Sequence, residues 1–235
     1  MHAWEIISGD GIDALNMVER ETPIPSPGKV RVRMNANSIN YRDLITIEGA
    51  GSRKLPFPTI PNSDGAGVIT AIGEGVSLKE GDRVTSCFFE EWAAGEISAP
   101  VMASALGGAR QGVLAEEVIL PEDGVIPTRA HLTDMEAATL PCAALTAWHA
   151  LTFPRPVKAG ETVLLLGTGG VSVFAQQFCT MMGARTIVTS SSDKKLEKMK
   201  ALGAGELINY RSIPEWDKTV LELTGGAGVD RVVEV

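Results

Sequence analysis

The stretch Val163-Leu164-Leu165-Leu166-Gly167-Thr168-Gly169-Gly170-Val171-Ser172 decides how this 235-residue chain is read. Four consecutive apolar residues suit a strand buried on both faces. Gly167 then permits a tight turn, and residues Gly169 to Met182 carry the pattern of a helix. The same alternation continues downstream. Arg185 to Thr189 reads as a strand, Asp193 to Leu202 as a helix and Glu206 to Asn209 as a strand. Pro214 to Leu223 then reads as a helix and Arg231 to Val235 as a strand. Strands alternating with helices across compact loops predict parallel βαβ units in a doubly wound α/β domain.

A glycine turn alone is weak evidence, because glycine also closes ordinary strand-to-helix loops. Here it lies between a buried strand and a helix start. Unpaired N–H groups and the positive end of the helix dipole favour a phosphate at that point. Gly169 lets the backbone approach a pyrophosphate, and Ser172, in the place of a third glycine, is small enough for close packing. Gly167, Thr168, Gly169, Gly170 and Val171 are therefore the expected dinucleotide contacts, with S-adenosylmethionine the alternative ligand of such a turn. The end of the second strand, about 20 residues on, selects the cofactor. An NAD site would place a carboxylate there. This chain reads Thr189-Ser190-Ser191-Ser192-Asp193-Lys194-Lys195. Hydroxyls of Ser190 and Ser191 and ammonium groups of Lys194 and Lys195 suit a 2′-phosphate, while Asp193 fits the N-cap of the next helix. NADP(H) is the expected cofactor; the alternative is a solvated serine loop beside surface lysines.

The first half has a different texture. Lys29 to Ala36 alternates polar and apolar residues, and Val68 to Ile72, Arg83 to Phe88 and Val118 to Leu120 read as further strands. Gly73-Glu74-Gly75 and Gly81-Asp82 mark turns. Residues 89–112 show no clear period and are expected to be irregular, with room for a short helix. Many short strands suggest a small barrel or sandwich. Thr133-Asp134-Met135-Glu136 matches a capping box, and Pro141 should break or kink that helix before another from about Cys142 to Leu151.

Acidic residues outnumber basic ones, 29 to 21, for a formal charge of −8. That balance argues against nucleic acid or an anionic membrane as a partner. Cys87, Cys142 and Cys179 have no paired spacing, which fits a reduced, cytoplasmic protein. The N-terminus lacks the pattern of a signal peptide, and no apolar run is long enough for a transmembrane helix. Val235 falls inside the fourth strand of a sheet that usually has about six. The dinucleotide domain is therefore expected to be incomplete at its C-terminus.

Several segments in order resemble one family: Asn40-Tyr41-Arg42-Asp43, Pro61-Asn62-Ser63-Asp64-Gly65-Ala66-Gly67, Gly81-Asp82-Arg83-Val84, Leu140 to Trp148, and the turn Gly167 to Ser172. Together they resemble the medium-chain dehydrogenase/reductase superfamily on its zinc-independent, quinone-oxidoreductase-like branch. The resemblance implies a GroES-like β-barrel catalytic domain over residues 1–127 and a Rossmann NADP-binding domain over 128–235. It also implies a missing C-terminal part of roughly 100 residues. Zinc-dependent members carry Cys near Asn40-Tyr41 and His near Ser63. Neither is present here, and Cys142 alone cannot hold a catalytic zinc. No metal is expected.

Without a metal, fixed hydrogen-bond donors must stabilise charge that develops on a substrate oxygen. The resemblance places Asn40 and Tyr41 beside the nicotinamide, the amide to orient a carbonyl and the phenol to donate a bond or a proton. The other reading of Tyr41 is a buried packing residue. Thr146 is expected to reach the nicotinamide side of the cofactor. Tyr210 is expected near the 2′-phosphate, or else as a surface aromatic. Asp43 and Asp64 are expected to fix local loops, and no histidine is assigned a catalytic role. The expected function is NADPH-dependent, zinc-independent hydride transfer to a quinone, enone or other activated carbonyl. Alternatives are a metal-free alcohol dehydrogenase of the same superfamily and a non-catalytic NADPH-binding protein. The expected partner is a small-molecule substrate, and a homodimer is expected for the full-length protein.

Overall fold

The alternation that starts at Lys29 is a ten-residue strand with Val30 and Val32 buried on its inner face. It lies in a computed structural model that describes residues 1–49 and 55–235. The chain divides into two compact units, Met1–Cys142 and Ala143–Val235.

In the first unit, β1 (His2–Ile6) and β2 (Leu15–Glu19) form an antiparallel hairpin. There follow β3 (Lys29–Ser38), α1 (Tyr41–Glu48), β4 (Asp64–Ile72), β5 (Arg83–Ser86), α2 (Ala99–Met102), β6 (Glu117–Pro121), β7 (Val125–Pro127) and α3 (Asp134–Ala137). Five strands make one antiparallel sheet in the order β6-β3-β4-β5-β7. Val30, Val32, Ile69, Val84, Val118 and Leu120 fill its core. The hairpin was not foreseen, because its two halves show little alternation and gain order by pairing with each other and, at Ala3 and Ile6, with Ala115 and Thr59. β4 starts earlier than its apolar run suggested, at Asp64, since small buried residues continue the pairing with β3. The 89–112 segment is mostly irregular, with α2 as its short helix.

The capping box at Thr133 is present: Thr133 Oγ1 accepts the Glu136 N–H at 3.2 Å, and the Glu136 carboxylate accepts the Thr133 N–H at 2.8 Å. The helix it starts is only four residues long. A boundary after 127 was expected, whereas the compact units divide after Cys142. Packing explains the difference. Ala137 and Ala138 bury against Ala66 and Ala36, and Asp134 accepts hydrogen bonds from Arg83 and Asn35. These contacts hold the segment to the sheet of the first unit.

At Pro141 the chain neither breaks nor continues a regular helix. Leu140–Ala144 is π-helical and runs directly into α4 (Leu145–Thr152). Then come β8 (Thr162–Leu166), α5 (Gly170–Met182), β9 (Arg185–Ser190), α6 (Asp193–Ala201), β10 (Glu206–Asn209), α7 (Trp216–Leu223) and β11 (Arg231–Val233). The four strands are parallel, in the order β10-β9-β8-β11. Successive side chains of β8 point to opposite faces. Val163 and Leu165 pack with Ala175 and Cys179 of α5, while Leu164 packs with Val220 of α7. Helices cover both faces, which is why β8 reads as a continuous apolar run. Among the described residues no helix is long and apolar enough to cross a membrane.

Candidate functional site

In the first unit the candidate residues gather at the start of α1. Asn40 occupies the N-cap position, and its N–H donates to Asp43 Oδ2 at 2.8 Å. Tyr41 follows as the first helical residue and is 78% exposed, so it is not the buried packing residue that the sequence also allowed. Arg42 donates to Asp43 Oδ1 at 3.3 Å and to the Leu106 carbonyl at 2.5 Å, with its guanidinium 4.6 Å from the centre of the Phe88 ring. Asp64 is wholly buried. Its Oδ1 accepts from the Ser63 hydroxyl at 2.6 Å and its Oδ2 from the Cys142 N–H at 2.9 Å.

Burial pushes the Asp64 carboxyl above the usual carboxylate range. Hydrogen bonds from Ser63 and the Cys142 backbone, with the Asn40 amide close by, offset part of that rise, and nearby Asp43 adds to it. Burial also raises Asp43, against the pull of the Asn40 N–H and Arg42. Asn40 Nδ2 is buried and near enough to favour the charged form of Asp64, yet it has no well-formed hydrogen bond of its own. A buried amide donor without a well-formed partner is uncommon in a folded protein. Asp64 therefore does more than fix a loop: it joins the start of β4 to the π-helical segment.

In the second unit the glycine turn sits at the end of β8. Gly167 has φ +89°, which favours glycine, and its N–H donates to the Thr189 carbonyl at 3.0 Å. Gly169 is the N-cap of α5 and exposed, and a Cβ there would meet nothing within 4 Å. The cradle in front of the helix is thus open space that a side chain would fill. Gly170 and Val171 form the first turn of α5, with N–H groups available to an anion. The Ser172 hydroxyl is buried and donates to the Leu166 carbonyl at 3.4 Å, fastening helix to strand.

The turn meets the end of β9 directly. Thr168 Oγ1 and Ser190 Oγ are 3.2 Å apart, the Ser192 N–H donates to Ser190 Oγ at 3.3 Å, and the Tyr210 N–H donates to the Ser190 carbonyl at 3.1 Å. Ser191 is half-buried, Lys194 and Lys195 are exposed on the first turn of α6, and Tyr210 is partly exposed. The sequence reading had Asp193 as the N-cap. Ser192 holds that position instead, and Asp193 Oδ1 accepts from Asn209 Nδ2 at 2.7 Å. Asn209 and Arg211 were not singled out, since nothing local marks the end of a short strand as a junction. Thr146 lies exposed on α4. Asn40 and Tyr41 belong to the first unit, and Thr146 and the turn residues to the second.

A parallel sheet in third-second-first-fourth order, with a glycine turn after its first strand, defines a Rossmann-type dinucleotide unit. It follows an antiparallel β-unit whose polar cluster lies at a helix start. Two family descriptions match in the same order: alcohol dehydrogenase GroES-like domain over residues 26–130 and zinc-binding dehydrogenase over residues 170–235. The chain belongs to the medium-chain dehydrogenase/reductase family. It is 44% identical over 229 residues to a zinc-type alcohol dehydrogenase-like protein of Schizosaccharomyces pombe, covering 96% of this chain and 66% of that protein. It also resembles the crystal structure of an NAD-dependent alcohol dehydrogenase, with 37% identity, a TM-score of 0.87 and coverage of 99% and 70%. A third likeness is to Escherichia coli quinone oxidoreductase complexed with NADPH, with 25% identity, a TM-score of 0.81 and coverage of 97% and 64%. The chain thus spans about two thirds of the length of each.

The second family description names zinc, and the donors here do not fit that metal. Asn40, Tyr41 and Ser63 offer an amide, a phenol and a hydroxyl, and both oxygens of Asp64 already accept hydrogen bonds. Among the described residues no three His, Cys, Asp or Glu side chains are gathered to hold an ion.

Proposed function

We propose that this chain forms the nicotinamide-binding and substrate-orienting part of an NADPH-dependent, zinc-independent oxidoreductase that reduces a small activated carbonyl, enone or quinone. The observation that carries the cofactor is the end of β9. Ser190 stands there in place of a carboxylate, its hydroxyl paired with Thr168 of the glycine turn, and Lys194 and Lys195 are exposed just beyond. The open space at Gly169 supports a pyrophosphate at the start of α5.

A bound reduced nicotinamide supplies the hydride. The chain's own part is to hold the cofactor and stabilise developing charge. N–H groups of Gly170 and Val171 receive the pyrophosphate, and hydroxyls of Thr168, Ser190 and Ser191 with Lys194, Lys195 and Tyr210 receive the 2′-phosphate side. Thr146 is assigned to the nicotinamide side. Asn40, with spare donor capacity, orients the substrate oxygen, and the Tyr41 phenol donates a hydrogen bond or a proton to it. Asp64 and Asp43 keep the start of α1 in place. The likeness to an NADPH-bound quinone oxidoreductase supports this reading, and the likeness to an NAD-dependent alcohol dehydrogenase supports its rival. The test is NADPH oxidation by the purified full-length protein with a panel of quinones, enones and aldehydes. Turnover that falls in Asn40→Ala and Tyr41→Phe is expected. NADPH binding with no turnover on any member of the panel would overturn the enzymatic reading in favour of a binding protein.

A further inference from the structure

Asn209 ends β10, and every polar group it has beyond the strand is engaged. Its Nδ2 donates to Asp193 Oδ1 at 2.7 Å, and its Oδ1 accepts the Arg211 N–H at 3.0 Å. Its carbonyl accepts the N–H groups of Ser212 at 3.1 Å and Ile213 at 2.8 Å. One residue therefore ties the turn that carries Tyr210 and Arg211 to the start of α6, which carries Asp193, Lys194 and Lys195. The turn is also fixed to the end of β9 through the Tyr210 N–H and the Ser190 carbonyl.

Asp193 has the wrong charge for this surface. It lies three residues past Ser190, where a free carboxylate would repel a 2′-phosphate and accept a hydrogen bond from a ribose 2′-hydroxyl. Its charge is instead met by a neutral amide from the next strand. Lys194, Lys195 and Arg211 form no ion pair among the described residues.

We infer that Asn209 is a positioning residue for cofactor selectivity: by engaging Asp193 and fixing the backbone of Arg211, it makes the surface beyond β9 and β10 accept a 2′-phosphorylated nucleotide and disfavour the unphosphorylated one. This inference rests on the NADPH reading of the site and adds residues that reading does not contain.

The test titrates the full-length protein and its variants with NADPH and with NADH, following binding directly. In Asn209→Ala, NADPH affinity is expected to fall about five- to tenfold while NADH affinity holds or rises. Adding Asp193→Asn to that variant is expected to restore most of the NADPH affinity, because the released charge is gone. Asn209→Asp keeps an acceptor for the Arg211 N–H but sets a second carboxylate against Asp193, so it is expected to lose more NADPH affinity than Asn209→Ala. Equal loss for both nucleotides, or no recovery on removing the Asp193 charge, would overturn the inference and leave Asn209 a structural tie. A parent protein that binds NADH as tightly as NADPH would instead overturn the NADPH reading itself.

Discussion

The start of α1 and the end of β9 build their polar sites by opposite means. Around Asn40 the carboxyls are buried and hydrogen-bonded: Asp64 is out of water altogether, and Asp43 is 4% exposed. Beyond β9 the charged groups stand in the open; the hydroxyls behind them and Asp193 are tied down, while Lys194 and Lys195 are not. The first arrangement holds a donor in a set place at a desolvation cost. The second gathers charge cheaply but is screened by salt. Changes to the buried carboxyls of the first region should thus cost folding, and changes in the second should cost binding.

Asp64→Ala breaks that division if it is wrong, and it carries the largest expected effect. It removes the acceptor of the Cys142 N–H and the Ser63 hydroxyl, for an expected loss of about 2–3 kcal/mol in urea unfolding. A loss near zero would mean that the buried network does not hold the fold. Gly169→Ala is expected to do the reverse. Its Cβ enters open space, so stability should change by no more than about 1 kcal/mol, while NADPH affinity falls at least about tenfold. Calorimetric titration beside thermal unfolding separates the two.

Lys194→Ala and Lys195→Ala are expected to weaken NADPH about two- to fivefold each. NADH binding should be unchanged, and the difference should shrink at high salt. The smallest expected effect is in the pH dependence of stability. Burial raises the carboxyls of Asp43 and Asp64, so the folded state holds these protons more tightly than the unfolded chain. Their contribution is present below the ordinary carboxylate pKa and is lost as pH rises through their raised values. Glu136 works the other way: the Thr133 N–H and hydroxyl hold it down, so its contribution is lost as pH falls. As pH rises from about 4 to 7, the parent should lose stability relative to Asp64→Asn. A difference of the opposite sign, measured by unfolding across that range, would contradict the burial argument.

The same contrast explains what the sequence disclosed. The β8 turn was legible because its signals are local: an apolar run, a glycine at positive φ and a helix pattern within ten residues. The Thr133 capping box was legible for the same reason. Asp193 was misplaced as an N-cap because a tertiary partner, Asn209, claims its carboxylate. The role of Asp64 stayed hidden because its partner Cys142 is 78 residues away in the chain. The hairpin of β1 and β2 was missed because its strands gain their order only by pairing. The resemblance placed residues 128–142 with the nucleotide domain; Arg83 and Asn35 bind Asp134 of that segment to the first sheet. The absence of a carboxylate past the second strand was read directly; the strand itself runs one residue further than read, to Ser190.

The central claim is that the end of β9 selects a 2′-phosphate. Its most direct test is equilibrium titration of the full-length protein with NADPH and NADH at low and at high salt. Tighter binding of NADPH by at least about tenfold at low salt, with the gap narrowing as salt rises, is the predicted result. Equal affinity for the two nucleotides, or a preference for NADH, would contradict the account.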